Sequence, residues 1–361
     1  METPVYPPKP RPGDRIGVIS PSSGLPGLLP LPYELGLQRL ERDFGLVPVE
    51  YPATRKPGAS ARERADDIHA AFGDPSVKAV IASIGGDDEI TVLPLLDREL
   101  IRANPKPFFG YSDNTNLLAW LWNTGIVGFH GATVMGELGR PGAMNPLTAD
   151  SLRAALFTPG SYELRPAERF RDVDRDWADP ATFTAEPETR PGGGWSWYGP
   201  GGSEPVAPLV KSSGTVVEGR SWGGNLEVLS GLLMADREIR ADLSAYDGCV
   251  LFLETSEELP RATEVFRILR NMGERGLLRR FPALLMGRPK TWSFEQPNDR
   301  TAAARYATEQ RAAVQRGLTE YAPETMAVFD VDFGHTDPQL VIPYGGLVRV
   351  DGPNRRITVT Y

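Results

Sequence analysis

Apolar residues along the chain fall into short continuous runs, separated by segments where they recur every three or four positions. Asp14-Arg15-Ile16-Gly17-Val18-Ile19-Ser20 reads as a short buried strand, Val47 to Tyr51 as a second and Val77 to Ile84 as a third. Phe108 opens a fourth, and Gly125 to His130 reads as a fifth. Between them, residues 33–44 place Leu35, Leu37, Leu40 and Phe44 at near-helical spacing, and residues 60–72 do the same with Ala65, Ile68, Ala71 and Phe72. Glu89 to Leu100 and Leu117 to Trp122 read as two more helices. Strands alternating with helices in units of about 30 residues predict an α/β fold with an N-terminal doubly wound, mostly parallel, flavodoxin-like sheet. Ligands bind beyond the carboxyl ends of such strands. The loops there follow Ser20, Ile84 and Gly110, and all three are rich in Gly, Ser or Asp.

The pattern fades after about residue 160. Residues 159–208 are dense in Pro, Gly, Trp and acidic residues with little periodicity, and include Trp195-Ser196-Trp197-Tyr198 flanked by glycines. A loop of this length is functional or disordered, and its clustered aromatics argue against disorder. Strand and helix patterns then resume and end in apparent antiparallel hairpins around Gly345-Gly346 and Asp351-Gly352. The expected organisation is an α/β domain over 1–160, a connecting loop over 161–208 and a smaller mixed α+β domain over 209–361.

Composition narrows the function class. The 361 residues are 40% hydrophobic and 24% charged, ordinary for a globular protein. A net charge of −8 with no Lys/Arg cluster argues against nucleic acid as partner. No stretch has the apolar length of a membrane span, and the first residues lack the apolar core of a signal peptide, so a cytoplasmic location is expected. The single cysteine, Cys249, lies in an apolar strand and reads as an inert core thiol. There is no His-Glu-x-x-His, Cys-x-x-Cys, G-x-G-x-x-G or P-loop pattern, so neither a metal nor a cofactor is expected.

The chemistry concentrates in Gly110-Tyr111-Ser112-Asp113-Asn114-Thr115, at a strand-to-helix switch. A sharp turn there lifts the Ser112 hydroxyl over the sheet end beside a helix N-terminus, where developing negative charge is favoured. This is the logic of a nucleophile elbow, although Asn114 stands where G-x-S-x-G has its last glycine. A serine or aspartate here serves equally as a helix N-cap, and the stretch alone leaves both roles open. Three histidines are available as a base: His69 in mid-helix, His130 at a strand end and His335 on a strand-end loop. Glu254, directly after an apolar strand, is costly to desolvate without a partner and suits the orienting carboxylate. Gly85-Gly86 and the Asp113 N–H are candidate oxyanion donors, and Asn225 is a candidate polar substrate contact.

Taken in order, these blocks resemble the L,D-carboxypeptidase family of serine peptidases, which includes the microcin C immunity proteins. The blocks are Gly13-Asp14-Arg15-Ile16 to Gly24, Ile84-Gly85-Gly86, Gly110 to Thr115, Gly223-Gly224-Asn225-Leu226, Leu251 to Glu254 and Phe333-Gly334-His335. The resemblance implies a Ser112, Glu254, His335 triad, an oxyanion hole from Gly85, Gly86 and the Asp113 N–H, and a homodimer. It implies a small substrate: a peptide-nucleotide in the immunity branch, or a muropeptide in the branch that releases D-alanine. An inserted loop whose tryptophan stacks on the nucleobase marks the immunity branch, and Trp195 or Trp197 would fill that role. Stacking of this kind is worth about 1–3 kcal/mol. A non-catalytic binding protein for peptides or nucleotides is the alternative of a different class.

Overall fold

A computed structural model describes residues 3–200 and 215–361; residues 201–208 of the expected connecting loop lie outside the described residues. The elements of the first half are β1 (Arg15–Ile19), α1 (Pro30–Arg42), β2 (Val47–Glu50), α2 (Ala61–Gly73), β3 (Val77–Ala82), α3 (Arg98–Ala103), β4 (Phe108–Gly110), α4 (Thr115–Thr124), β5 (Gly128–His130) and α5 (Pro146–Phe157). Strands run in the order β2-β1-β3-β4-β5, all parallel, which is the doubly wound arrangement expected. The helix expected over Glu89 to Leu100 is broken. Two single turns, Glu89–Thr91 and Leu93–Leu95, precede α3. Pro94 has no N–H to continue the first, and Asp97 restarts the helix by accepting from the N–H groups of Glu99 and Leu100, both at 3.0 Å.

Later come β6 (Ser161–Leu164), β7 (Arg169–Phe170), β8 (Arg190–Pro191), β9 (Ser196–Tyr198), β10 (Val216–Asn225), α6 (Leu226–Met234), β11 (Val250–Glu254), α7 (Ala262–Glu274), β12 (Ala283–Gly287), α8 (Arg300–Tyr321), β13 (Met326–Val331), β14 (Ile342–Tyr344), β15 (Leu347–Asp351) and β16 (Arg356–Thr360). Among the described residues, eight of these strands form a mixed sheet in the order β6-β16-β15-β10-β11-β12-β13-β9. Its centre, β10 to β13, is parallel. The tail only half follows the expected hairpins. β15 and β16 pair antiparallel across the Asp351-Gly352 turn, but β14 crosses to the first sheet and pairs with β5, Ile342 opposite His130. All three residues of β14 are buried, so it needs cover on both faces, whereas β15 alternates buried and exposed positions and suits an outer ladder.

Helix α4 lies between the two sheets, which explains why Leu117 through Trp122 are all buried. The carboxyl ends of β4, β11 and β13 thereby open into one cleft.

Candidate active site

Ser112 occupies the turn between β4 and α4 with a backbone φ of 61°, a left-handed conformation unusual for a residue with a side chain. Neither Ser112 nor Asp113 caps α4: its N-cap is Asn114, with no side-chain cap bond. The strained turn is held from both sides. Asn114 donates to the Tyr111 carbonyl at 2.9 Å and to the Ile84 carbonyl at 3.3 Å, tying the serine turn to the glycine loop. Asp113 accepts from the Glu89 N–H at 2.9 Å and from Asn116 Nδ2 at 2.7 Å. Gly85 then packs so closely that a methyl group on it would stand 3.2 Å from Ser112 Oγ and 3.5 Å from the Asp113 nitrogen. Gly86 lies against Ser22 in the loop after β1.

Glu254 ends β11 fully buried, and its Oε2 lies 2.6 Å from His335 Nδ1. Because an ionised carboxylate only accepts, Nδ1 carries a proton, and Nε2 is the ring nitrogen turned away from Glu254. The approach depends on Gly334, whose φ is 90° and where a Cβ would stand 2.7 Å from Glu254 Oε2. Burial pushes the Glu254 carboxyl upward, but the charge and hydrogen bond of His335, with His130 and Asn225, outweigh it and leave it below its ordinary value. Burial likewise disfavours the charged His335 ring, yet the charges of Glu254 and Glu257 prevail and raise it to about 9. Glu257 Oε2 stands 3.3 Å from His335 Nε2.

The other two histidines have structural places. His69 Nε2 accepts from the Asp97 N–H at 2.8 Å, joining α2 to the start of α3. His130 is fully buried with Nε2 3.9 Å from Glu254 Oε1, and burial lowers it to about 4, so it is neutral at neutral pH.

Ser112, Gly85, Gly86 and His335 line one cavity of about 490 Å³. Its aromatic and apolar wall comes from Leu25, Leu29, Tyr111, Trp177 and Phe294, and Lys290 adds a charge beside Asp174 at 2.5 Å. Tyr111 also meets the His335 ring edge-on at 5.1 Å. The tryptophans singled out in the sequence go elsewhere. Trp197 is a buried residue of β9, paired with Val328 of β13 at the sheet edge, and Trp195 Nε1 donates to Asp332 at 2.8 Å. Trp177, in the Asp-rich part of the same long loop, is the tryptophan on the cavity wall. Asn225 is buried opposite Glu254 on the neighbouring strand. Its Oδ1 caps α6 by accepting from the Val228 N–H at 2.9 Å, and it lines a second cavity that also touches Ser112. Glu257, not among the candidates drawn from the sequence, faces the imidazole. Its spacing three residues after Glu254 is the one signal that could have placed it there.

Comparison with known proteins places the chain in a family. Residues 16–131 match the profile of the LD-carboxypeptidase N-terminal domain and residues 218–350 that of the C-terminal domain. The chain is 26% identical over 358 residues to the microcin C7 self-immunity protein MccF of Escherichia coli, covering 96% of this chain and 93% of the relative. It is 27% identical over 346 residues to a Bacillus subtilis protein named as a murein peptide carboxypeptidase, covering 92% and 87%. The solved structure of a variant of MccF in complex with adenosine monophosphate superposes with a TM-score of 0.81 at 24% identity, over 99% of both chains. MccF in complex with aspartyl sulfamoyl adenosine gives the same score, identity and coverage.

Proposed function

As the chain belongs to the LD-carboxypeptidase family, we propose that it is a serine hydrolase using Ser112, His335 and Glu254 to cleave the bond between an amino acid or peptide and a modified adenylate. The observation that carries the reading is the Glu254–His335 pair at 2.6 Å opening on the cavity that Ser112 lines. Ser112 Oγ attacks the substrate carbonyl carbon as its proton passes to His335 Nε2. Collapse of the tetrahedral intermediate breaks the bond to the leaving nitrogen, which takes that proton. Water then attacks the acyl-enzyme, giving its proton to His335, and Ser112 leaves with that proton restored. Glu254 keeps Nδ1 protonated and stabilises the imidazolium. The Gly85–Gly86 loop and the Asp113 N–H supply the oxyanion hole, for which the close approach of Gly85 to Oγ is the support.

The adenylate reading draws on two things. MccF, a relative across nearly the whole chain, is a microcin C7 self-immunity protein with structures holding adenosine monophosphate and aspartyl sulfamoyl adenosine. The cavity beside His335 is roomy and carries Trp177 and Phe294, surfaces on which a nucleobase stacks. The second reading, removal of D-alanine from a muropeptide, is favoured by the murein peptide carboxypeptidase relative. A paired assay separates them: purified protein with an aminoacyl-sulfamoyl adenosine or a muropeptide tetrapeptide, followed by mass spectrometry. Ser112→Ala is expected to bind but not to turn over. Loss of D-alanine with the adenylate intact would overturn the first reading, and wild-type turnover by Ser112→Ala would overturn the nucleophile.

A further inference from the structure

The second cavity touching Ser112 plays no part in the steps above. It encloses about 260 Å³ between the serine turn, α6 and the loop after β11. Every charged side chain on its wall is acidic: Asp87, Asp113, Glu227, Glu257 and Glu258. The nearby cations turn elsewhere. Arg64 pairs with Asp88 at 2.6 Å, and His335 reaches Glu257 from the other cavity.

Three buried polar atoms on this wall have no hydrogen-bond partner: the acceptors Asn116 Oδ1 and Glu227 Oε2, and one donor, Asn225 Nδ2. Asn116 is 2% exposed, and its amide nitrogen is committed to the Asp113 carboxylate, an acceptor only, which leaves the carbonyl oxygen bare. Glu227 Oε1 accepts from both the N–H and the hydroxyl of Ser256 at 2.8 Å, while Oε2 has nothing. A buried acceptor without a donor costs free energy until one reaches it. Burial first, and then the charge of Glu254, raises the Glu227 carboxyl to about 7. Among the described residues, no group of three or more His, Cys, Asp or Glu could hold a metal ion.

The direction of the reaction says which part of the substrate this cavity meets. His335 must reach the leaving nitrogen, so the leaving group occupies the cavity that His335 lines. The acyl group runs to the other side of Ser112, where His335 is not on the wall. We propose that the acidic cavity is the acyl subsite and that it selects an acyl residue bearing a cationic side chain, an ammonium like that of lysine. This rests on the hydrolase reading for its orientation. The specificity follows from like-charge exclusion as much as attraction, since an acidic acyl side chain would meet five carboxyl groups and no cation.

The test is calorimetric binding of lysyl-, norleucyl- and glutamyl-sulfamoyl adenosine to the Ser112→Ala protein, one leaving group with three acyl charges. The lysyl compound is expected to bind about tenfold more tightly than the norleucyl one, and the glutamyl compound about tenfold more weakly. Glu227→Gln, in the same background, should bring the lysyl and norleucyl affinities close together. Glu258→Gln, at an exposed position where folding is not at stake, should narrow the ratio about threefold. A flat or reversed order, or no binding of any of the three, overturns the proposal. Cleavage by the wild-type protein is scored separately: its absence removes the hydrolase reading, while the binding order still decides what the cavity accepts.

Discussion

The position of Glu257 makes a quantitative prediction about pH. His335 must be neutral at Nε2 to take a proton from Ser112, yet Glu254 and Glu257 raise it to about 9. At about pH 7 only about one molecule in a hundred then carries the free base, and kcat/KM should climb with pH until the ring has titrated. Glu257 lies on the side of the ring that the serine needs, 3.3 Å from Nε2. At that distance two unit charges interact by about 1.3 kcal/mol even at the dielectric of bulk water. Glu257 is 55% exposed, so its contribution is screened towards the range of surface ion pairs, and about 1 kcal/mol is the reasonable scale. Removing the charge in Glu257→Gln should therefore lower the acid-limb midpoint by about 0.7 pH unit and raise kcat/KM near neutrality about fivefold. The assay is kcat/KM from about pH 6 to about pH 10 on an uncharged acyl substrate, read by midpoint rather than height because Glu257 also borders the acyl cavity. A wild-type midpoint at the ordinary histidine value of about 6.5, or an unmoved midpoint in the variant, would refute the reasoning.

Two further substitutions test other parts of the site. Gly85→Ala places a methyl 3.2 Å from Ser112 Oγ, where the oxyanion must form; kcat should fall about a hundredfold or more with the melting temperature kept, and wild-type kcat would remove the glycine loop from the oxyanion hole. Trp177→Ala should raise KM for a nucleoside-bearing substrate about tenfold while sparing a muropeptide, whereas Trp197→Ala should lower stability by about 3 kcal/mol and leave KM unchanged. The opposite pattern, KM sensitive at Trp197 and not at Trp177, would return the stacking role to one of the two residues first expected to hold it.

What the sequence could and could not reveal follows from how local each feature is. The first sheet was legible because each of its parallel strands is an apolar run with a helical pattern behind it, and such units admit few arrangements. Ser112, Glu254 and His335 stood out as candidates because each lies at or just beyond the end of an apolar strand, while their grouping as a triad came from the family resemblance. Non-local pairing was the part that did not show. Ile342–Tyr344 reads as one arm of a hairpin, and only the free edge of β5 decides that it crosses to the other sheet. Trp197 and Trp177 come from one irregular loop without periodicity, yet Trp197 is claimed by a ladder to Val328 and Trp177 by the cavity wall. Nothing within the loop distinguishes them, because burial there depends on a strand 131 positions downstream, Val328 opposite Trp197. The acidic cavity was hidden more deeply still. Asp87, Asp113, Glu227 and Glu258 sit on four separate segments, each with an ordinary reading as a turn or helix-start carboxylate. Only their convergence beside Ser112, on a wall without a cationic side chain, turns four unremarkable residues into the basis for proposing an acyl subsite.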